Sequence, residues 1–255
     1  MEIPGRQALE DAYIRRMSKL RIRHRKELRA YLDAGEPVPD EFWQRVERET
    51  REEELTVLLL LFMLSANYHA GGDAEGRGIV SEMTRTTLQQ SGQVYAQRRA
   101  EELASRTVAR AREAVRGAGP DSLIGGTGIT RLVTGDESTS NSTSATKNNA
   151  PVISEVTIIV DRAFSPSDVI RDAVTETTAA QSIGAETAMK LDPFGLSNDD
   201  IWITEYDAKV CPICRPLHER KREVWEAQFP DGPPAHPNCR CTIQYANRAL
   251  ARFSG

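Results

Sequence analysis

The cysteines of this chain are confined to one stretch. Cys211, Cys214, Cys239 and Cys241 are the only four in 255 residues, and none precedes position 211. Cys211-Pro212-Ile213-Cys214 is a C-x2-C turn, a spacing that places two thiolates on one side of a tight knuckle, at adjacent vertices of a tetrahedron. Further on stands His236-Pro237-Asn238-Cys239-Arg240-Cys241, where either C-x-C or H-x2-C can supply the remaining vertices. Soft thiolates with at most one imidazole suit zinc, which brings no redox chemistry of its own. A structural ion of this kind also stabilises a region too small for a large core, by about 10 kcal/mol or more in isolated peptides. Five side chains thus compete for four positions. The turn fixes Cys211 and Cys214; for the second pair the spacing favours Cys239 and Cys241, with His236 replacing one of them or standing behind them. His218 is a weaker candidate.

Other chemistries fit the pattern less well. Four cysteines are sparse for a disulfide scaffold, and the opening residues Met1 to Gly5 lack the basic and apolar regions of a signal peptide, so no export is expected. A redox C-x2-C is disfavoured by the second cysteine pair and by the lack of a surrounding βαβ pattern. A catalytic zinc keeps one position open for water and has a carboxylate beside it. Glu205, Asp207 and Glu219 are near in sequence, but none forms an H-E-x-x-H or H-x-E arrangement. No Walker A loop, G-x-S-x-G elbow or G-x-G-x-x-G turn occurs. The expectation is a structural ion in a protein that is not an enzyme.

Composition narrows the class further. With 33 basic and 37 acidic side chains the formal net charge is -4, hydrophobic residues make up 39% and aromatic residues 6%. This balance argues against a dedicated duplex-DNA binder and against a chain-long stacking platform for single strands. The longest apolar run, Val57 to Ser65, is about half of what a membrane-spanning helix needs.

The elements that must position the cysteines are mostly helical. Leu9, Tyr13, Met17, Leu20, Leu28 and Tyr31 recur at helical spacing and predict an amphipathic helix over 6–33. Its other face is basic, and Arg15, Arg16, Lys19, Arg23 and Lys26 are candidate contacts for nucleic acid or an acidic partner, beside the simpler reading of a solvated face. A second helix is predicted from Pro39 or Asp40, with Asp40 as cap, ending at Gly71 and Gly72; a third covers 79–117. Residues 120–152 are rich in Gly, Ser, Thr and Asn and read as a linker. Val152 to Val160 is β-prone and predicts a strand. Ser165, Pro166 and Asp168 predict a capped helix start, its cap a short form of the capping box, and that helix runs to about Lys190. Thr175 to Thr178 lie mid-helix, where threonine is unfavourable, which points to a packing or contact role. Trp202-Ile203-Thr204 predicts a strand. The expected fold is mainly α, of the α+β class: an elongated helical region over 1–118, a flexible linker over 119–152, and a small α+β zinc-knuckle module over 153–255.

Residues 173–241 resemble the phage head morphogenesis family, the minor head proteins of the Mu F and SPP1 gp-seven type. The resemblance rests on Thr175-Glu176-Thr177, on Trp202, Thr204, Asp207 and Lys209-Val210-Cys211-Pro212-Ile213-Cys214, and on Pro233-Pro234-Ala235-His236-Pro237-Asn238-Cys239-Arg240-Cys241. Two positions depart from the family pattern: Val174 stands where an Arg often precedes Thr-Glu, and Glu219 where a Gly is common. The resemblance implies a minor structural component of a tailed-phage head, in the virion at the portal vertex or head interior and in the host cytoplasm during assembly. Its implied partners are the portal protein and the major capsid or scaffolding protein, with DNA contact in some members and an oligomer around the portal. On this reading the N-terminal helices are the docking element. Readings from other classes are a metal-dependent nuclease or toxin domain and a zinc-ribbon nucleic-acid adaptor; the latter predicts a basic surface around the knuckles from Arg215, Arg220, Lys221, Arg222 and Arg240.

Overall fold

A computed structural model of the chain describes residues 6–71, 81–117, 154–192, 195–205 and 210–246. The expected linker, 119–152, lies outside the described residues, as do Gly72 and Asp207. Helix α1 spans Arg6–Asp33, α2 Asp40–His69 and α3 Glu82–Gly117. Gly35, at φ 67°, turns the chain between the first two. Asp40 is not the cap of α2: Pro39 occupies that position, and the Asp40 carboxylate instead accepts from Arg112 at 2.9 Å. Ser81 caps α3, its Oγ accepting from the Thr84 amide at 3.1 Å. Among the described residues no helix is long and apolar enough to cross a membrane.

Of the run Val152 to Val160, expected to be a strand, Val152 and Ile153 lie outside the described residues, and the part from Glu155 on is helical. Helix α4 covers Glu155–Ala163, with Ser154 as cap accepting from the Thr157 amide at 3.3 Å. Ile159, Val160 and Ala163 recur at spacings of one and three and are buried with Leu28, Phe42 and Val108 of the first three helices. Burial of that stripe outweighs the β preference of its branched side chains, which is weak and set by context. Helix α5, Pro166–Leu191, starts with proline at its first turn as expected, but its capping box does not form. Ser165 Oγ meets Ser167 Oγ, and the Asp168 carboxylate goes to Arg110 and Arg171, each at 2.7 Å.

Helices on both sides of 119–152 share their cores. Tyr13, Met17, Leu58, Leu103 and Ala173 belong to one hydrophobic cluster drawn from α1, α2, α3 and α5. The boundary expected at 119–152 therefore does not separate two independent cores. Helix α5 closely approaches α2 at Gly184, where a Cβ would stand 2.5 Å from the Phe62 carbonyl oxygen. Only glycine fits there. Beyond α5 come β1, Ile201–Ile203, a short 3-10 turn at Arg215–Leu217, the single-turn helix α6, Arg222–Trp225, and β2, Thr242–Gln244. The two strands pair antiparallel, with Trp202 opposite Ile243.

One polar contact lies deep in the bundle. The Tyr13 hydroxyl on α1 donates to the Glu54 carboxyl on α2, at 2.7 and 2.8 Å from its two oxygens, and Glu54 is 2% exposed. Burial pushes the Glu54 carboxyl up to about 8, outweighing the Tyr13 hydrogen bond. The unfolded chain ionises this group near the ordinary carboxylate value of about 4.3. Between that value and the raised one the folded state retains a proton the unfolded state has lost, so this group's contribution to stability falls as pH rises through the window. Glu54→Gln keeps the shape without the titration. We expect its thermal midpoint to decline less than that of the unsubstituted protein between about pH 5 and 8, as read by melts at each pH.

Candidate metal centre

The module after α5 is built around Trp202, Trp225 and Ile243, all buried. Its frame is ionic. Asp200, wholly buried, accepts from Arg222 Nε at 3.2 Å and Nη2 at 3.1 Å, and Arg222 also meets Glu186 of α5 at 3.0 and 3.1 Å. The Trp225 indole N–H donates to the Asp200 carbonyl, and Tyr245 donates to Glu186. Because each buried charge has a partner, the network ties the module to α5 without leaving an uncompensated ion.

On this frame stand the two ligand-bearing turns. In the first, the Arg215 amide bonds the Cys211 carbonyl at 3.0 Å, and the Cys214 amide lies 3.3 Å from Cys211 Sγ. The second is closed by the Cys239 amide bonding the His236 carbonyl at 3.1 Å. The turns bring five side chains together. The ligand atoms of Cys211, Cys214 and His236 lie within 4.8 Å of one another, as do those of Cys214, Cys239 and Cys241, so Cys214 belongs to both groups. His236 Nε2 is 2.8 Å from Cys211 Sγ and 3.0 Å from Cys214 Sγ, while Cys214 and Cys239 sulfurs are 3.8 Å apart. With metal–sulfur bonds of about 2.3 Å, adjacent sulfurs of a tetrahedron are about 3.8 Å apart. The donor set fits a thiophilic cation. None of the four cysteines is in a disulfide.

The electrostatics point the same way. Hydrogen bonding from Cys214 and Cys241 pulls the Cys239 thiol far below its ordinary range, and the contact with Cys239 pushes Cys214 far above it. Thiols this close cannot all ionise unless a cation offsets the charge.

The loop that carries His236, Cys239 and Cys241 is held by helices. The Asn238 amide donates to Thr175 Oγ1 at 2.9 Å, and Thr178 Oγ1 donates to the Cys239 carbonyl at 2.5 Å. Arg6, at the start of α1, donates to the Arg240 carbonyl at 3.2 Å and to Thr178 Oγ1 at 2.6 Å. Between the two threonines, Glu176 turns to α3 and accepts from Arg99 through both oxygens at 2.7 Å. The mid-helix threonines thus hydrogen-bond the loop's backbone, a contact role their unfavourable position signalled. Arg6 had no such signal, being 234 positions from the carbonyl it serves.

Of the other residues named from sequence, His218 stands apart from both groups, its Nδ1 3.0 Å from Thr204 Oγ1 and 3.2 Å from the Thr204 amide. Three of the basic residues around the knuckles face acids: Lys221 pairs with Asp199, Arg222 with Glu186, Asp200 and Glu226, and Arg240 lies 3.9 Å from Glu205. On α1, Arg16 pairs with Glu53 and Arg23 with Glu49, whereas Arg15, Lys19 and Lys26 are exposed. Comparison with protein-family models, with curated proteins and with solved structures finds no match to this chain.

After the first knuckle the chain reverses at Glu219, at φ 58°, and pairs with β1: the Glu219 amide donates to the Trp202 carbonyl at 2.8 Å, and the Trp202 amide to the Arg220 carbonyl at 3.0 Å. This left-handed backbone disfavours a side chain. Glu219→Gly is therefore expected to stabilise the protein by about 1 kcal/mol, the relief of strain exceeding the added chain entropy, which for a protein of this size raises the thermal midpoint by about 2–4 °C. Calorimetry of the two proteins checks it.

Proposed function

We propose that this chain is a minor structural protein of a tailed-phage head, in which one zinc ion fixes the C-terminal module and the helices dock on the portal vertex or inner capsid. The observation that carries the reading is the meeting of three sequence blocks. Thr175 and Thr178 seat the backbone of the loop bearing His236, Cys239 and Cys241, and that loop faces the Cys211–Cys214 turn. These are the blocks on which the family resemblance rests, and separate blocks that form one site are best understood as one module. Glu219 adds to it: the family commonly has glycine at this position, and the backbone here takes a glycine-type conformation.

The ion's role is structural. The turns offer more sulfur and nitrogen donors than a tetrahedron needs, so no position is left for a reacting water. The nuclease reading required a spare histidine and carboxylate at an open metal position, and His218 is engaged by Thr204 instead. The adaptor reading predicted a basic surface around the knuckles; Lys221, Arg222 and Arg240 face acids, which leaves only Arg215 and Arg220 of the five for it.

Docking falls to the exposed side of α1. Arg15, Lys19, Ile22 and Lys26 follow one another at spacings of four, three and four, forming one stripe along the helix, and Ile22 is 65% exposed. Among the described residues Arg15, Lys19 and Lys26 make no ion pair. Their charge is available for an acidic surface of the portal, capsid or scaffolding protein, or for packaged DNA.

Cys211→Ser and Cys214→Ser are each expected to lose about one bound zinc per chain and to expose residues 200–245 to protease; unchanged metal content in both rules out the site. In a second measurement, replacing Arg15, Lys19 and Lys26 together by Glu is expected to abolish co-purification with the portal or capsid protein while metal content and thermal midpoint stay as they were. Retained co-purification overturns the docking face.

A further inference from the structure

The five candidate ligands are one too many, and the geometry selects among them. We propose that the ion is held by Cys211, Cys214, His236 and Cys239, and that Cys241 stands behind them as an uncoordinated thiol. This rests on the reading of the cluster as a metal site and replaces the C-x-C pair that the sequence favours for the second turn.

His236 Nδ1 lies 2.7 Å from the Pro237 carbonyl oxygen. A carbonyl only accepts, so Nδ1 carries the proton, and in the neutral ring Nε2 presents its lone pair. A hydrogen bond from the remote nitrogen to a carbonyl is the usual way a metal-binding histidine is oriented. That lone pair faces two sulfurs, Cys211 at 2.8 Å and Cys214 at 3.0 Å. A thiol proton satisfies one such contact; a cation among the three takes all their lone pairs, with nitrogen and sulfur then spaced at a tetrahedral edge of about 3.5 Å.

The fourth position follows from the turns. Cys211 to Cys214 and His236 to Cys239 have the same spacing, and each is closed by a main-chain hydrogen bond, at 3.0 and 3.1 Å. Two like knuckles facing each other supply two vertices apiece. Cys239 meets the requirement at Cys214, its sulfur 3.8 Å away, the edge expected for a tetrahedral zinc thiolate, while Cys211 and His236 group with Cys214 rather than with Cys239. Its backbone is also pinned on both sides, by Thr175 on the preceding amide and Thr178 on its own carbonyl. Cys241 enters differently. It leads into β2, where Cys241, Ile243 and Tyr245 alternate with half-buried neighbours and are buried together against Trp202. Cys241 thus opens a strand face, whereas Cys214 and Cys239 stand on the turns; all three share the module's apolar core, and the Cys241 sulfur lies within 4.8 Å of Cys214 and Cys239.

Cobalt(II) in place of zinc tests the assignment, because its visible absorption reports the ratio of sulfur to nitrogen donors and its near-ultraviolet band the number of thiolates. The full-length chain loaded with cobalt(II) is expected to give a three-sulfur, one-nitrogen spectrum. Cys241→Ala is expected to leave that spectrum unchanged, His236→Ala to shift the visible bands, and Cys239→Ala to remove about a third of the thiolate band, one of three sulfur donors. An all-sulfur spectrum from the unsubstituted chain overturns the assignment without needing any variant to fold, as does a loss of thiolate band in Cys241→Ala. A chain that takes up no cobalt at all overturns the metal site itself, a result distinct from a wrong ligand set.

Discussion

The backbone of residues 238–240 cannot satisfy itself where the Cys239 side chain turns inward to the shared Cys/His cluster, and the rest of the molecule supplies what it lacks. Thr175 accepts from the Asn238 amide, Thr178 donates to the Cys239 carbonyl, and Arg6 donates to the Arg240 carbonyl. Of the three, the contact to the Cys239 carbonyl is buried, and a buried main-chain group left unpaired costs about 1–3 kcal/mol. The three contacts also tie the Cys/His cluster to the helices. Helix α5 gives one face to the loop through its threonines and another to α3 through Glu176 and Arg99.

This coupling explains the arrangement of charge. The molecule holds several ionic groups away from water, among them Glu176, Asp200 and Arg222, and each sits where two elements of different origin meet. Arg222 links the knuckle module to α5 through Glu186, and Arg99 links α3 to α5. Such pairs add little net stability over an apolar contact of the same size, but losing one partner strands the other. Their effect here is to fix which surface of α5 faces which neighbour. Glycine at position 184 serves the same end, since α2 and α5 cross too closely there for any side chain.

Much of the helical content is legible in the residues. The apolar spacing in α1 and the breaks at Gly35 and Gly71 mark elements whose ends the structure places within a few residues of the expectation. Short polar signals misled. Asp40 and Asp168 look like caps, yet Arg112, Arg110 and Arg171 approach them from other turns and take their carboxylates. The run Val152 to Val160 looks like a strand, and its described part from Glu155 is helical because α1 and α3 offer an apolar seat at helical spacing. Propensities differ by a few tenths of a kcal/mol per residue, whereas burying a single Ile or Val is worth about 1.5–3 kcal/mol.

By itself the sequence determined the donors and their chemistry: four thiols and an imidazole, all in one stretch, with turn spacings that suit a thiophilic ion. Those facts depend on residue type and on separations of a few positions, which the chain cannot alter by folding. Only the tertiary structure decided that His236 faces Cys211 and Cys214, that α4 is a helix, and that Arg6 serves a carbonyl 234 positions away. Each of these depends on which surfaces meet. That is set by burial and by the need to pair every buried polar group across the whole fold, and no local pattern carries it.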